Sequence, residues 1–441
     1  MKNRPNIVFI VADDLGYADL GCYGGRGFDG TGRESVSPNL DKLAASGLRF
    51  TQGYSNSPVC SPTRFALMTA RWQYRLRGAM DEPIKSSSKG STTLGLPPEH
   101  PTLPSLLRDA GYRTALIGKW HLGYPPHFGP LKSGYEEFFG PMSGGVDYFT
   151  HCSSIGDHDL YFGEEEKHEE GYLTDLLSSR AVEYVSRVDE SKSDQPFFLS
   201  LHYTAPHWPW ETRDDAHIAP DVAKNLFHLH GGNIHSYRKM IHHMDEGIGQ
   251  LVEALRKNGQ LDNTLIVFTS DNGGERFSDN WPLVGGKMDL TEGGIRVPYI
   301  AHWPAVIKPS QVSQQHCLTM DWSATMLELG GAEPSQALDG VSLLPVLQGG
   351  AAFERPLYWR MNHRSQRAHR SGDWKYLKVD DHEYLFNIPA DERERANHAS
   401  REPERLAKMR EQWESWEKSI PAIPPDATVS LGFGLRDMPQ R

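Results

Sequence analysis

Cys60-Ser61-Pro62-Thr63-Arg64 is the string in this chain with the plainest chemical content. An Arg four residues after a Cys can share a helical face with it, and a guanidinium there would lower the thiol pKa and make an ordinary cysteine nucleophile. Other reactive side chains fall at the ends of apolar runs. Ile7-Val8-Phe9-Ile10-Val11 is the continuous, β-branched kind of run that a strand buried on both faces requires, and it stops at Asp13-Asp14. Tyr112 to Ile117 runs into Gly118-Lys119-Trp120-His121, Phe197 to Tyr203 leads to His207, and Thr264 to Thr269 leads to Asp271-Asn272. In open α/β sheets ligands gather beyond the carboxyl ends of the strands, so carboxylate, amide, ammonium and imidazole would meet along one rim. Solvated loop polarity is the competing explanation for each of these strand ends taken alone.

The elements that would hold these groups alternate. Ser37-Pro38 offers an N-cap and a proline at the first helical position, Leu40, Leu43 and Ala44 form an apolar stripe, and Gly47 closes the helix. The pattern repeats with Thr102 to Ala110 as helix, Gly111 as stop and Tyr112 to Ile117 as strand. Helices are expected around Leu173 to Arg187 and from about His235 to Lys257, with strands at Phe197 to Tyr203 and Thr264 to Thr269. Such alternation predicts βαβ units. After about Pro345 the texture changes to short strand-like pieces, Leu357 to Arg360, Trp374 to Lys378 and Tyr384 to Asn387, then a charged helix from about Glu402 to Lys418. The expected organisation is a main domain over residues 1-345, a small α+β subdomain over 346-420 and a Pro- and Gly-containing strap or mobile tail over 421-441.

Composition narrows the function classes. The 441 residues carry 46 Lys and Arg against 57 Asp and Glu, a formal net charge of −11. A net acidic chain without a basic block is a poor match for nucleic acid, so a small partner is expected. The apolar run before Asp13-Asp14 is too short for a membrane span or a signal-peptide core, and the chain as written is expected to be cytoplasmic with no membrane partner. Cys22, Cys60, Cys152 and Cys317 are too scattered for a disulfide framework and form no C-x-x-C pair. Cys22, Cys152 and Cys317 read as small buried hydrophobes.

The C-x-P-x-R string is also the recognition sequence for oxidation of a cysteine to Cα-formylglycine. Its companions are Ala12-Asp13-Asp14-Leu15-Gly16, Gly118-Lys119-Trp120-His121-Leu122-Gly123, Ala205-Pro206-His207, Ser270-Asp271-Asn272-Gly273-Gly274, Gly286-Lys287 and Glu292-Gly293-Gly294-Ile295-Arg296. Together, and in this order, they make the chain resemble the type I sulfatase family. The resemblance runs from Pro5 to at least Pro298 and continues weakly at Leu385-Phe386-Asn387. It departs at Thr69-Ala70-Arg71, where the family usually has Gly in the middle; Ala is small, and no functional consequence is expected. The fold it implies is an α/β, alkaline-phosphatase-like three-layer sandwich around a large mixed, mostly parallel sheet, with a small C-terminal α+β subdomain on an antiparallel sheet.

The resemblance also implies roles. Asp13, Asp14, Asp271 and Asn272, with residue Cys60 once converted, would hold a divalent cation. Hard oxygen donors with no His among them favour Ca²⁺, and after it Mg²⁺, over Zn²⁺. A sulfate ester spreads its negative charge over its oxygens, and the transition state moves charge onto the departing oxygen. Arg64 as a planar fork and Lys119 and Lys287 as point charges suit that demand. His121 and His207 are the candidate proton carriers. One hydroxyl of the hydrated formylglycine would attack sulfur, and the other would let sulfate leave by carbon–oxygen cleavage, which avoids hydrolysis of a sulfated Ser or Cys. Asp271 would help deprotonate the attacking hydroxyl, His207 with Lys287 would act on the leaving oxygen, His121 would assist elimination, and Lys119 and Arg64 would position the gem-diol. The implied protein partner is an enzyme that generates formylglycine; no oligomeric state is implied.

For the substrate, Gly140 to His151 occupies the region that lines the sulfate pocket in the family, which makes Ser143, Asp147 and His151 candidates. Trp208 could form an aromatic wall, and both sugar rings and aryl groups use such faces. A small-molecule aryl sulfate and a glycan sulfate ester both stay open. So do a phosphoester or phosphonate hydrolase of the same superfamily, whose members often hold zinc or manganese through His and Asp, and a sulfated-glycan-binding module whose Cys60 is never converted.

Overall fold

Ile7, Phe9 and Val11 point to one side of the strand Asn6–Ala12 and Val8, Ile10 and Ala12 to the other, and all six are buried. A strand with two apolar faces must be covered twice. On one side Ile7, Phe9 and Val11 join a core with Phe65 and Met68 of the helix Cys60–Thr69 and Trp322 and Met326 of the helix Thr319–Gly330. On the other, Val8, Ile10 and Ala12 meet Leu40 and Leu43 of the helix Pro38–Ala45, Leu177 of Leu173–Ser186, and Ile248 and Leu251 of Ile234–Lys257. The result is a three-layer α/β sandwich, in a computed structural model that describes residues 4–187, 195–228 and 231–431.

The central sheet has ten strands in the order Gln311–Ser313, Leu48–Phe50, Tyr299–His302, Thr264–Ser270, Asn6–Ala12, Phe197–His202, Arg113–Gly118, Glu137–Gly140, Tyr161–Phe162 and Glu165–Glu166. Its middle is parallel, and Tyr299–His302 runs antiparallel to both neighbours. The register pairs Ala12 with Ser270, Val11 with His202 and Gly118 with His202, so four strands end level with one another. Asp13, Lys119 and Asp271 are each the first residue beyond such an end. Gly118 sits at φ 115°, and a Cβ there would lie 1.8 Å from the His202 carbonyl oxygen, so this approach requires glycine.

A second sheet is antiparallel and four-stranded: Leu357–Met361, Gln366–Ser371, Trp374–Val379 and His382–Asn387. The strand Gln366–Ser371 goes beyond the three strand-like pieces legible in sequence, because Gln-Arg-Ala-His-Arg-Ser shows no apolar alternation. Its Gln366, His369 and Arg370 are nevertheless buried, each with side-chain hydrogen bonds, and His369 stacks on Tyr358 at 4.3 Å between centroids. The helix Pro403–Glu417 covers this sheet through Leu406, Met409 and Trp413. Trp359, Leu377 and Phe386 of the sheet share a core with Cys60 and Ala66, so the small sheet packs directly on the helix that begins at Cys60. The buried Lys375 ammonium reinforces the contact, reaching Glu292 at 3.0 Å and Glu394 at 2.8 Å.

Ser37 does not cap its helix through its side chain. Its hydroxyl accepts the Gly21 N–H at 3.0 Å, and the Asp245 carboxylate takes the N–H groups of Asn39 and Leu40 instead. Beyond the helix Pro403–Glu417 the chain returns as a strap, with Val429 bridged to Glu82; the rest of the expected tail, from residue 432, lies outside the described residues. Among the described residues no helix is long and apolar enough to cross a membrane.

Candidate active site

Cys60 is the first residue of its helix, and Val59 before it is extended, so the chain turns abruptly from loop to helix at the thiol. Arg64 lies one turn further on. Its guanidinium is spent on Asp271, with Nε at 3.0 Å and Nη2 at 2.8 Å from Oδ2, while Nη1 donates to the Lys119 carbonyl at 3.0 Å. The thiol is not activated as the simple Cys–Arg reading expects. Burial pushes it up to about 11, although Lys119 and Lys287 pull the other way. An unmodified Cys60 is therefore a poor nucleophile near neutrality.

Ligand atoms of Cys60, Asp13 and Asp271 lie within 4.8 Å of one another, and so do those of Asp13, Asp14 and His207. Lys119 donates to Asp13 Oδ2, Lys287 to Asp14 Oδ2 at 2.7 Å, and Asn272 Nδ2 to Asp14 Oδ1 at 2.7 Å. Burial, reinforced by Asp271, pushes the Asp13 carboxyl well above the ordinary range against the pull of Lys119. Burial would raise Asp14 too, but the Lys287 ammonium beside it, with Lys119, outweighs burial and holds its carboxyl low. Asp14 sits at φ 62°, which turns its side chain back into the cluster. Asp13 Oδ1 and Asn272 Oδ1 are buried acceptors with no hydrogen-bond partner. Two orphaned oxygens on adjacent strand ends, among mutually repelling carboxylates, fit a hard divalent cation such as Ca²⁺.

Both imidazoles are held in defined tautomers. His207 Nδ1 donates to the Trp208 carbonyl at 2.6 Å, leaving Nε2 free to face Asp14 Oδ2 at 3.5 Å. His121 Nε2 donates to the Ile84 carbonyl at 2.8 Å and leaves Nδ1 without a partner. Burial pushes both well below the usual histidine range, with Lys119 adding to the effect, so both rest as neutral bases. Gly144 makes room for one ring: a Cβ there would come within 2.4 Å of His121 Cε1. Burial would lower the Lys287 ammonium, yet Asp14 and Glu275 keep it well above its ordinary value.

These groups form the floor of a cavity of about 730 Å³, into which Cys60, His121, His207 and Lys287 open. Of the four expected substrate contacts, Trp208 lines it. Ser143 gives its N–H and hydroxyl to Asp159, Asp147 accepts the N–H groups of Phe149 and Thr150, and His151 donates its own N–H to the Asp147 carbonyl. The Ser143 and Asp147 side chains brace the loop from within, His151 Nε2 is buried without a hydrogen-bond partner, and it is Gly144 and Gly145 of that loop that face the cavity. Glu275 directly follows the Ser270 to Gly274 string and carries no signal of its own in sequence; it lies 3.6 Å from Lys287, and burial pushes it to about 7. Lys85, His363 and Arg364 also line the cavity and carried no local signal.

A mixed sheet whose strand ends gather carboxylates, an amide and paired cations is the setting of a hydrolase of charged esters, with side chains that could hold a metal ion. Residues 5–332 match the family model described as Sulfatase, and residues 286–405 match that of the N-sulphoglucosamine sulphohydrolase C-terminal region. The chain is 34% identical over 376 residues to human N-acetylgalactosamine-6-sulfatase, covering 80% of this chain and 68% of that protein. It is 33% identical over 400 residues to human arylsulfatase A, covering 84% and 74%. The crystal structure of Ps i-CgsB superposes with a TM-score of 0.85 at 34% identity, over 97% of this chain and 95% of that one. The chain belongs to the sulfatase family and is a sulfuric ester hydrolase.

Proposed function

We propose that the protein hydrolyses a carbohydrate sulfate ester to an alcohol and inorganic sulfate, using formylglycine derived from Cys60 with a calcium ion beside it. The observation that carries this reading is the meeting of Cys60, Asp13 and Asp271 within 4.8 Å, beneath Arg64, Lys119 and Lys287. When bound, the calcium would offset the carboxylate repulsion and draw charge from the sulfate oxygens. Hydrated formylglycine, made by a separate modifying enzyme, would supply one hydroxyl to attack sulfur and a second to release sulfate by carbon–oxygen cleavage.

The chain's own side chains have definite tasks in this scheme. Asp271, fixed by the Arg64 fork, accepts the proton of the attacking hydroxyl. Lys119 and Arg64 set the position of residue 60. Lys287, kept protonated by Asp14 and Glu275, meets the charge that develops on the leaving oxygen, with His207 Nε2 beside it to carry a proton. His121 Nδ1 is the free base for the release step. Carbohydrate is favoured over aryl sulfate by the relatives' names, which include N-acetylgalactosamine-6-sulfatase and a complex of Ps i-CgsB with k-i-k-neocarrahexaose.

The test is a sulfate-release screen over monosaccharide sulfates, sulfated oligosaccharides and nitrophenyl sulfate, with nitrophenyl phosphate as the competing ester. Release from sugar sulfates with phosphate ester turnover far slower supports the reading. Phosphate ester turnover that outpaces every sulfate ester contradicts it.

A further inference from the structure

The catalytic groups occupy only the floor of the cavity, and part of its wall is built by residues distant in sequence. His363 and Arg364 lie in the turn between the strands Leu357–Met361 and Gln366–Ser371. Arg364 adopts φ 56° and Ser365 φ 45°, in the left-handed region that residues with side chains seldom enter.

Three buried or paired groups hold the turn in that shape. Glu82, 6% exposed, accepts the N–H groups of Asn362 at 2.8 Å and His363 at 3.1 Å. Asp380 accepts Arg364 Nε at 3.1 Å and Nη2 at 2.9 Å, and gives its own N–H to the Arg364 carbonyl at 2.8 Å. Buried Gln366 donates to the carbonyls of Met288 at 2.8 Å and His363 at 3.1 Å and accepts the Leu290 N–H at 2.9 Å. That last set fastens the turn to the loop carrying Lys287 and Asp289. Glu82 also pairs through its backbone with Thr428 and Ser430, which brings the C-terminal strap to the same wall.

The cavity also carries a row of rings that starts at the catalytic floor: His207 to Trp208 at 4.2 Å between centroids, and Trp208 to Phe227 at 4.9 Å. Aromatic faces together with a guanidinium, an imidazole and the Asp289 carboxylate match the two sides of a pyranose, its apolar C–H face and its ring of hydroxyls. A lone aryl sulfate would use the rings and make no hydrogen bonds to the polar groups.

We propose that His363, Arg364 and Asp289 bind hydroxyl groups of a sulfated oligosaccharide whose sugar ring rests on Trp208 and Phe227, and that this turn sets the preference for carbohydrate over aryl sulfates. The inference rests on the sulfatase reading above and adds residues that fix its specificity. Glu82 and Gln366 are positioning residues, acting through the turn.

The experiment measures kcat and KM for the full chain with Cys60 converted, and for Arg364→Ala, Arg364→Lys, His363→Ala and Glu82→Ala. The substrates are nitrophenyl sulfate and a panel of sulfated oligosaccharides that includes k-i-k-neocarrahexaose, and thermal unfolding is followed in parallel. The ratio of kcat/KM for sugar over aryl sulfate is expected to fall at least tenfold in Arg364→Ala and His363→Ala, mainly through KM. Glu82→Ala should shift it the same way, and Arg364→Lys should recover part of the loss. Equal losses on both substrate classes in the folded variants overturn the proposal. So does a wild-type enzyme that turns over nitrophenyl sulfate but neither hydrolyses nor is inhibited by any sugar of the panel. A converted wild-type enzyme inert toward every sulfate ester contradicts the sulfatase reading itself, and this inference with it.

Discussion

Arg64 fastens its guanidinium to Asp271, with Nε at 3.0 Å and Nη2 at 2.8 Å from one carboxylate oxygen. The helix that begins at residue 60 is thereby locked to the end of the strand Thr264–Ser270. Lysine could keep the charge but not the two contacts converging on one Asp271 oxygen together with the third to the Lys119 carbonyl. Arg64→Lys is expected to lower kcat by roughly 100-fold with a smaller change in KM. Steady-state kinetics on nitrophenyl sulfate check it, and a change confined to KM would contradict the positioning role.

Gly144 tests the placement of His121. A methyl group there would meet the imidazole at 2.4 Å, and the ring is anchored through Nε2 on the Ile84 carbonyl. Gly144→Ala is expected to cost on the order of 100-fold in kcat, the effect of misplacing a catalytic group by about 1 Å. Circular dichroism and unfolding should stay close to wild type. Wild-type turnover would show that His121 is not needed where it lies.

How much of this site was legible in sequence depended on whether a residue is placed by its own strand or by distant packing. Asp13, Lys119 and Asp271 each follow the last residue of an apolar run, and the register of neighbouring strands then brings them together. That step needs only the pattern of buried strands and the rule that parallel strands end at a common rim. Ser143, Asp147 and His151 could not be sorted the same way. Their loop turns inward, so Asp147 and Asp159 accept its backbone N–H groups while two glycines face the cavity. His363 and Arg364 were beyond reach for a different reason. They enter the cavity only because a polar strand, Gln366–Ser371, joins a sheet that packs on the Cys60 helix, and no local periodicity announces either event.

Lys375 ties that sheet to the helix Glu292–Ile295 through Glu292 at 3.0 Å and also reaches Glu394 at 2.8 Å, all three fully or almost fully buried. Lys375→Met keeps much of the volume and removes the charge, leaving two carboxylates to repel each other out of water. Removing one partner of a buried pair costs about 3–5 kcal/mol. Denaturant unfolding should show a loss of that order. A stability within 1 kcal/mol of wild type, roughly the scale of an exposed pair, would mean that the cluster adds nothing to the joint between the sheets.

Metal removal tests the oxygen cluster independently of turnover. Chelation should abolish activity, and Ca²⁺ should restore it better than Zn²⁺ because the donors are hard oxygens. Saturating Ca²⁺ should also raise stability, by about 2.7 kcal/mol at a concentration 100 times its Kd. Asp271→Ala should lose both the binding and the added stability. Full activity after exhaustive chelation would exclude a metal from the mechanism.

The central claim is that residue 60 works as formylglycine and not as a thiol. The most direct measurement is mass spectrometry of the peptide carrying residue 60, taken from preparations of graded sulfatase activity. The account predicts that specific activity rises in proportion to the fraction of peptide showing the mass of an aldehyde in place of the thiol, and that Cys60→Ala is inactive while still folded. Full activity in a preparation whose Cys60 is entirely unmodified would contradict it.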